Sequence, residues 1–226
     1  MGINVVVTCE HAGNKVPESY KRLFRDAGEV LQSHRGWDPG AFQIAEQIAV
    51  PLNAPLFKCE TTRLLVEPNR SVGSPSLFSE YSSALSKKEH EEILQHYYFP
   101  YRISVENQVK KLTNVLHLSV HTFTPVLNGI ERNVDIGLLF DPARKNEVKI
   151  CDAIRDSIEK TSPFFRIEFN EPYKGIDDGF TTHLRTLFHD SAYMGVEIEV
   201  NQKLIEQNQL GLVSETLLTA VRLCTG

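Results

Sequence analysis

Paired cysteines, long apolar runs and surplus positive charge are all missing from this chain of 226 residues. Its four cysteines (Cys9, Cys59, Cys151 and Cys224) form no CxxC pair. That argues against a disulfide framework or a cysteine zinc knuckle and fits reduced thiols in a cytoplasmic protein. The opening MGINVVVTCEH has no basic leader and only a short apolar run, so neither a signal peptide nor a membrane span is expected there. The formal charge of -5 argues against nucleic acid as a partner but leaves small anionic substrates open, since these need only one or two placed arginines. No G-x-S-x-G elbow and no glycine-rich phosphate loop is present, and Cys9 lies two residues before His11 with no evident base, so serine, cysteine and P-loop chemistries are disfavoured.

The composition that remains, 41% hydrophobic and 23% charged with a mean hydropathy of -0.24, is that of a folded globular protein. Without repeats, low-complexity tracts or linkers, residues 1–226 read as one domain. Short β-rich runs fall at 4–8, 55–58, 115–120, 134–140, 164–169 and 195–200. Helical spacing occupies 40–50, 86–112, 145–160 and 212–223. The second of these opens on an S-x-x-E capping box at Ser86 and Glu89 and is interrupted at Pro100. Strands alternating with helices predict an α/β domain with a mixed, mostly parallel sheet. The Ser/Gly/Pro-rich segment 71–83 reads either as a mobile loop near a site or as a plain connection.

In such sheets functional groups gather beyond the carboxyl ends of strands. Glu10, His11 and Asn14 follow the first predicted strand, and His121 follows the middle one. His117, Ser119 and His121 share one face of HLSVHT, and two histidines about 13 Å apart along a strand cannot chelate one ion, so His121, at the strand end, is the better candidate. GVEIEVN alternates likewise and aims Glu197, Glu199 and Asn201 one way. That pattern fits a solvated edge strand, or a general base with a partner behind it. In TTRLLVEPNRS, Arg63 and Arg70 are structural arginines or, beside a histidine–carboxylate site, forks for an acidic substrate. Asp38 in SHRGWDPGA suits the N-cap of the 40–50 helix with Pro39 at its first position, or else supplies a carboxylate ligand with Trp37 walling the pocket.

Seven motifs in order, CEHAGNKVP, WDPGA, RLLVEPNRS, LHLSVHTFTP, RNVDIGLLFD, NEPYKG and GVEIEVNQKLI, together resemble the N-formylglutamate amidohydrolase family, over about residues 5–205. That family is related to zinc carboxypeptidases and aspartoacylases. The resemblance implies a three-layer phosphorylase/hydrolase-like α/β sandwich and a zinc ion, or another divalent transition metal, held by His11 and His121. It implies Glu199 as the catalytic glutamate, Asn69 and Arg70 as the holders of a substrate carboxylate, and Arg63 and Arg132 as supporting charges, with Glu197 beside them. Carboxypeptidase-like chains place a glutamate ligand three residues after the first histidine; Asn14 stands there here, so Asp38 is the preferred third ligand, with Asn14 or a water behind it. The implied activity is hydrolysis of an N-formyl or other N-acyl acidic amino acid. The alternatives are a carboxypeptidase-like hydrolase of small peptides and a metal-free binding protein on the same fold.

Overall fold

Period-two apolar patterning builds the centre of the molecule. The structure, a computed structural model, describes residues 2–226. Its strands are β1 (Asn4–Cys9), β2 (Leu56–Lys58), β3 (Val115–Phe123), β4 (Val126–Leu127), β5 (Ile130–Glu131), β6 (Ile136–Leu139), β7 (Ile167–Phe169) and β8 (Tyr193–Asn201). Six of them form one sheet in the order β2-β1-β3-β8-β6-β7. Every neighbouring pair is parallel except β6 with β8. The small β4–β5 hairpin stands apart, and its turn is Asn128-Gly129, both at positive φ, which matches the twist of a tight hairpin.

The helices are α1 (Gly28–Gln32), α2 (Ala41–Ala49), α3 (Lys87–Ile93), α4 (Phe99–Lys110), α5 (Lys145–Thr161), α6 (Phe180–Leu187), α7 (Gln202–Glu206) and α8 (Leu210–Thr225). One sheet face is apolar: Leu116, Leu118 and Val120 of β3 and Val196, Ile198 and Val200 of β8 are fully buried against α2, α5 and α8. Each such side chain contributes about 1.5–3 kcal/mol of burial. On the opposite face α4 and α6 bring Val105, Val109, Phe180 and Leu184 against Val6, Val115 and Tyr193. The result is a three-layer α/β sandwich with a mixed, mostly parallel sheet. A third cluster, including Phe24, Leu65, Leu77, Ile93 and Tyr98, packs the long connections beside it. Because Leu77 is buried there, segment 71–83 is tied down rather than a bare surface connection.

Several elements differ from the sequence reading for identifiable reasons. The predicted 86–112 helix divides into α3 and α4, joined by a π-helical turn at Leu94–Tyr98. Pro100 falls in the first turn of α4, where its missing N–H costs nothing. The capping box at Ser86 and Glu89 is formed in both directions. Predicted strand 134–140 pairs only over Ile136–Leu139, and 164–169 only over Ile167–Phe169. Strand β8 is central and wholly buried, which removes the solvated-edge reading of Glu197 and Glu199. The helices α1, α6 and α7 run only five to eight residues, too few turns for an apolar period to stand out in the sequence.

Gly137 marks where the antiparallel strand crosses the site. It pairs with Glu199 in the β6–β8 ladder. A Cβ added there would press into the carbonyl oxygen of Glu171 and approach the Glu199 Cβ at 3.3 Å. The substitution Gly137→Ala is expected to lower stability by about 1–3 kcal/mol through overpacking, measured by urea unfolding against wild type.

Candidate functional site

The carboxyl ends of the parallel strands β1, β3 and β8 lie along one edge of the sheet, and the polar side chains collect there. His11 lies two residues beyond the end of β1; His121 and Glu199 are register partners across β3 and β8, as are Ser119 and Glu197. Asp38 arrives from the loop before α2. Gly40, at φ 86, caps that helix without a side-chain bond, so the carboxylate of Asp38 turns into the site instead of capping. Asp38 therefore does not cap α2, and its carboxylate lies beside His11 and His121.

His11 Nδ1, Asp38 Oδ2 and His121 Nδ1 meet at a point. The two nitrogens are each 3.0 Å from the carboxylate oxygen and 3.1 Å from one another. All three residues are buried. The far nitrogens decide what those atoms present. His11 Nε2 donates to Glu67 Oε1 at 2.5 Å, a carboxylate that can only accept. Ser119 Oγ donates to Glu10 Oε2 at 2.6 Å, so its remaining capacity at 3.0 Å from His121 Nε2 is that of an acceptor, and this nitrogen carries the hydrogen. Tyr101 OH donates to the other oxygen of Glu10 at 2.8 Å. Both Nδ1 atoms therefore turn lone pairs toward Asp38 Oδ2.

Three lone-pair atoms this close repel one another unless protons or a cation lie among them. A tetrahedral ion with bonds of about 2.0–2.1 Å needs ligand atoms roughly 3.3 Å apart, close to the spacing found here. Histidines backed by carboxylates, as His11 is by Glu67 and His121 by Glu10, are the usual arrangement behind metal-ligating imidazoles. The donor set thus fits a divalent transition metal.

Without a cation, the electrostatics favour protons at the same point. Burial by itself would lower His121, but its bonds to Asp38 and Glu10 outweigh that and raise it well above the ordinary imidazole value. His11 is also raised, by Glu67 and Asp38, against burial and the charge of Arg63. Burial pushes the carboxyls of Glu10, Asp38 and Glu67 up, yet the partnering histidines, with Arg63 at Glu67 and Asp38, hold them well below the usual carboxylate range. Glu199 is the exception. Burial, reinforced by the charges of Asp38 and Glu197, pushes it to about 8 against the pull of the histidines. Its Oε2 is buried with no hydrogen-bond partner among the described residues.

His11, Asp38, His121 and Glu199 line a cavity of about 170 Å³ with Asn69, Arg70, Glu197, Tyr173 and Lys174, while Glu10 and Glu67 lie behind it. Asn69 Oδ1 accepts from the Phe180 backbone N–H at 2.6 Å, which leaves its amide N–H group to face other partners. Arg70 uses Nη1 on the carbonyls of Asp178 and Asn69. Glu197 accepts from Thr181 Oγ1 at 2.5 Å. Arg63 lines the cavity but is bonded to Asp38 and Glu67.

Three expected participants lie elsewhere. Asn14 donates its amide to the Leu31 carbonyl at 2.8 Å and takes no part in the cluster, because the loop after His11 carries it away from the pocket. Arg132 sits beyond the cavity wall, with Nη1 on Tyr173 OH at 3.1 Å. Trp37 is likewise not among the lining side chains. Conversely, Glu67 and the backing role of Glu10 were not singled out from the sequence. The signal for Glu67 was present, a carboxylate four residues after Arg63 in an apolar run, but an i,i+4 pair reads as an ordinary surface ion pair. His117, the histidine set aside, bonds Thr8 Oγ1 and Tyr193 OH, both at 2.7 Å, inside the fold.

The family model described as N-formylglutamate amidohydrolase matches residues 3–206. The crystal structure of a gene product from Agrobacterium tumefaciens is 29% identical, with 98% of this chain and 91% of that one covered and a TM-score of 0.78. An N-acetylmuramoyl-L-alanine amidase from Clostridium difficile 630 is a more remote likeness, at 12% identity, coverage of 98% and 96%, and a TM-score of 0.46. No curated protein sequence matches the chain. No helix among the described residues is long and apolar enough to cross a membrane.

Glu199 generates a pH-dependent prediction for the metal-free protein. Its folded-state value lies above the unfolded one, so folding disfavours its ionised form, and stability falls as pH rises from about 4.5 to about 8. Glu199→Gln removes that loss. In paired urea titrations, the variant is expected to gain on wild type steadily across this window, with a constant difference below and above it.

Proposed function

The chain belongs to the N-formylglutamate amidohydrolase family, and from that premise we propose that it is a metal-dependent hydrolase that cleaves the amide bond of a small N-acyl acidic amino acid, N-formylglutamate or a close relative. One observation carries this reading: three buried lone-pair atoms converge within 3.1 Å in a cavity that also holds an unpartnered buried carboxylate. His11, Asp38 and His121 would hold zinc or another divalent transition metal. When bound, such an ion supplies Lewis acidity for the scissile carbonyl and acidifies water.

The remaining steps belong to the chain's own groups. Glu199 Oε2, with no other partner, accepts the proton of the attacking water and then delivers it to the leaving nitrogen. A neighbouring cation would bring its raised value down toward neutrality, where a proton shuttle works best. Arg70 keeps Nε and Nη2 uncommitted and is the fork for the substrate carboxylate, with the Asn69 amide beside it. Lys174 lines the same wall, with its Nζ bonded to Glu171 Oε1 and the Asn170 carbonyl. A cavity of about 170 Å³ falls below the roughly 300–1,000 Å³ usual for drug-sized ligands, which favours a single N-acyl amino acid over a peptide. The products are the short carboxylic acid and the free amino acid.

The test is metal analysis joined to an assay on N-formylglutamate and on other N-acyl amino acids. Wild type is expected to carry one equivalent of metal and to hydrolyse at least one acidic substrate, whereas His11→Ala and His121→Ala lose the metal. Glu199→Gln should keep it and lose about 10²–10⁴-fold in kcat. Arg70→Lys should raise KM more than it lowers kcat. Wild type without bound metal, or metal-loaded wild type inert to the whole panel, would sink the proposal and favour a binding protein.

A further inference from the structure

Arg63 was expected to help bind substrate, but its hydrogen bonds run in another direction. Nη1 donates to Asp38 Oδ1 at 3.2 Å, while Nε and Nη2 both reach Glu67 Oε2 at 2.6 Å. Glu67 in turn uses its other oxygen to accept from His11 Nε2 and, at 3.0 Å, from the Asn69 N–H. One guanidinium therefore reaches two of the three converging residues, Asp38 directly and His11 through Glu67. The loops that carry the pair are knit to each other, with Arg63 N donating to the Gly36 carbonyl at 3.3 Å and Thr62 Oγ1 to the same oxygen at 3.0 Å.

We propose that Arg63 is a positioning residue of the metal site: by occupying Asp38 Oδ1 and Glu67 Oε2, it leaves Asp38 Oδ2 and His11 Nδ1 aimed at the point they share with His121. The inference rests on the metal-dependent reading above. Asp38 is buried, and among the described residues Arg63 is the only side chain bonded to its Oδ1. Without that bond a desolvated carboxylate oxygen is left unpaired, and the group is free to rotate and withdraw Oδ2 from the triangle. Glu67 would likewise lose the fork that keeps Oε1 on His11.

Charge and geometry make opposite demands here, which makes the role testable. As a mere positive charge near a cation site, Arg63 repels the ion, and its removal should tighten binding. As a positioning group, its loss weakens binding, and lysine cannot replace it, because a single ammonium does not reproduce the planar fork. A substrate anchor would instead leave the metal untouched and raise KM.

The experiment measures Zn²⁺ affinity by competition with a chromophoric chelator for wild type, Arg63→Lys and Arg63→Met, and KM for N-formylglutamate at saturating zinc. Circular dichroism of the metal-free proteins checks folding. If Arg63→Met does not fold, Arg63→Lys, which keeps the charge and much of the stem, decides the question. The expected result is a loss of about 10–100-fold in zinc affinity for both variants, with KM essentially unchanged. Zinc affinity equal to or tighter than wild type in Arg63→Lys overturns the assignment, whether KM rises or not. If wild type itself binds no zinc, the metal-dependent reading falls first, an outcome distinct from wild type and variant binding equally well.

Discussion

Convergence of His11 Nδ1, Asp38 Oδ2 and His121 Nδ1 is the constraint around which this end of the sheet is organised. With no proton or cation among them, three such atoms would turn apart or out to water. Each is held from behind: His11 by Glu67, His121 by Ser119 and Glu10, and Asp38 by Arg63. The backing groups are anchored in their turn by Tyr101 and by the Asn69 backbone. Burial makes this arrangement costly to distort, since any group that swings away leaves an unpaired polar atom in a low-dielectric interior. The outcome is a preorganised cluster in which two imidazoles and one carboxylate share a single point.

The sheet supplies the rigidity for this. Strands β3 and β8 are buried along their whole lengths, with an apolar face packed on α2, α5 and α8 and a polar face bearing His117, Ser119, His121, Glu197 and Glu199. Polar residues at a sheet centre persist only where each finds a partner or a task. His117 is satisfied by Thr8 and Tyr193, Ser119 by Glu10, and Glu197 by Thr181. Glu199 Oε2 has no such partner, and it faces the cavity. Within a face where nearly every polar atom is paired, that one free oxygen is the site's chemical asymmetry, and burial keeps its carboxyl protonated to a higher pH than its neighbours.

Much of this was legible in the chain itself, through local rules. Period-two alternation in LHLSVHT and GVEIEVN announced two strands and assigned His121, Glu197 and Glu199 to their polar faces. The S-x-x-E motif at Ser86 and Glu89 announced a helix start that forms as written. Motif order pointed to the family whose model covers residues 3–206. What these patterns share is short range: each depends on residues a few positions apart.

Long-range relations were settled only by folding. Asn14 was a reasonable ligand by spacing from His11, but spacing along a loop does not determine direction, and the loop turns its amide to Leu31. Asp38 had two plausible roles, and the choice fell to Gly40, whose positive φ starts α2 without needing the carboxylate. Arg63 and Glu67 read as an ordinary i,i+4 pair until Asp38 and His11, 25 and 56 residues away from them in sequence, were brought against them. The sequence by itself determined which faces of β3 and β8 would be apolar, where α3 would begin, and which residue types could do chemistry, because side-chain periodicity and capping are local properties of a polypeptide. Only the tertiary structure decided which of those side chains converge, because the pairing of β1, β3 and β8 and the path of the loops between them are set by burial across the whole chain.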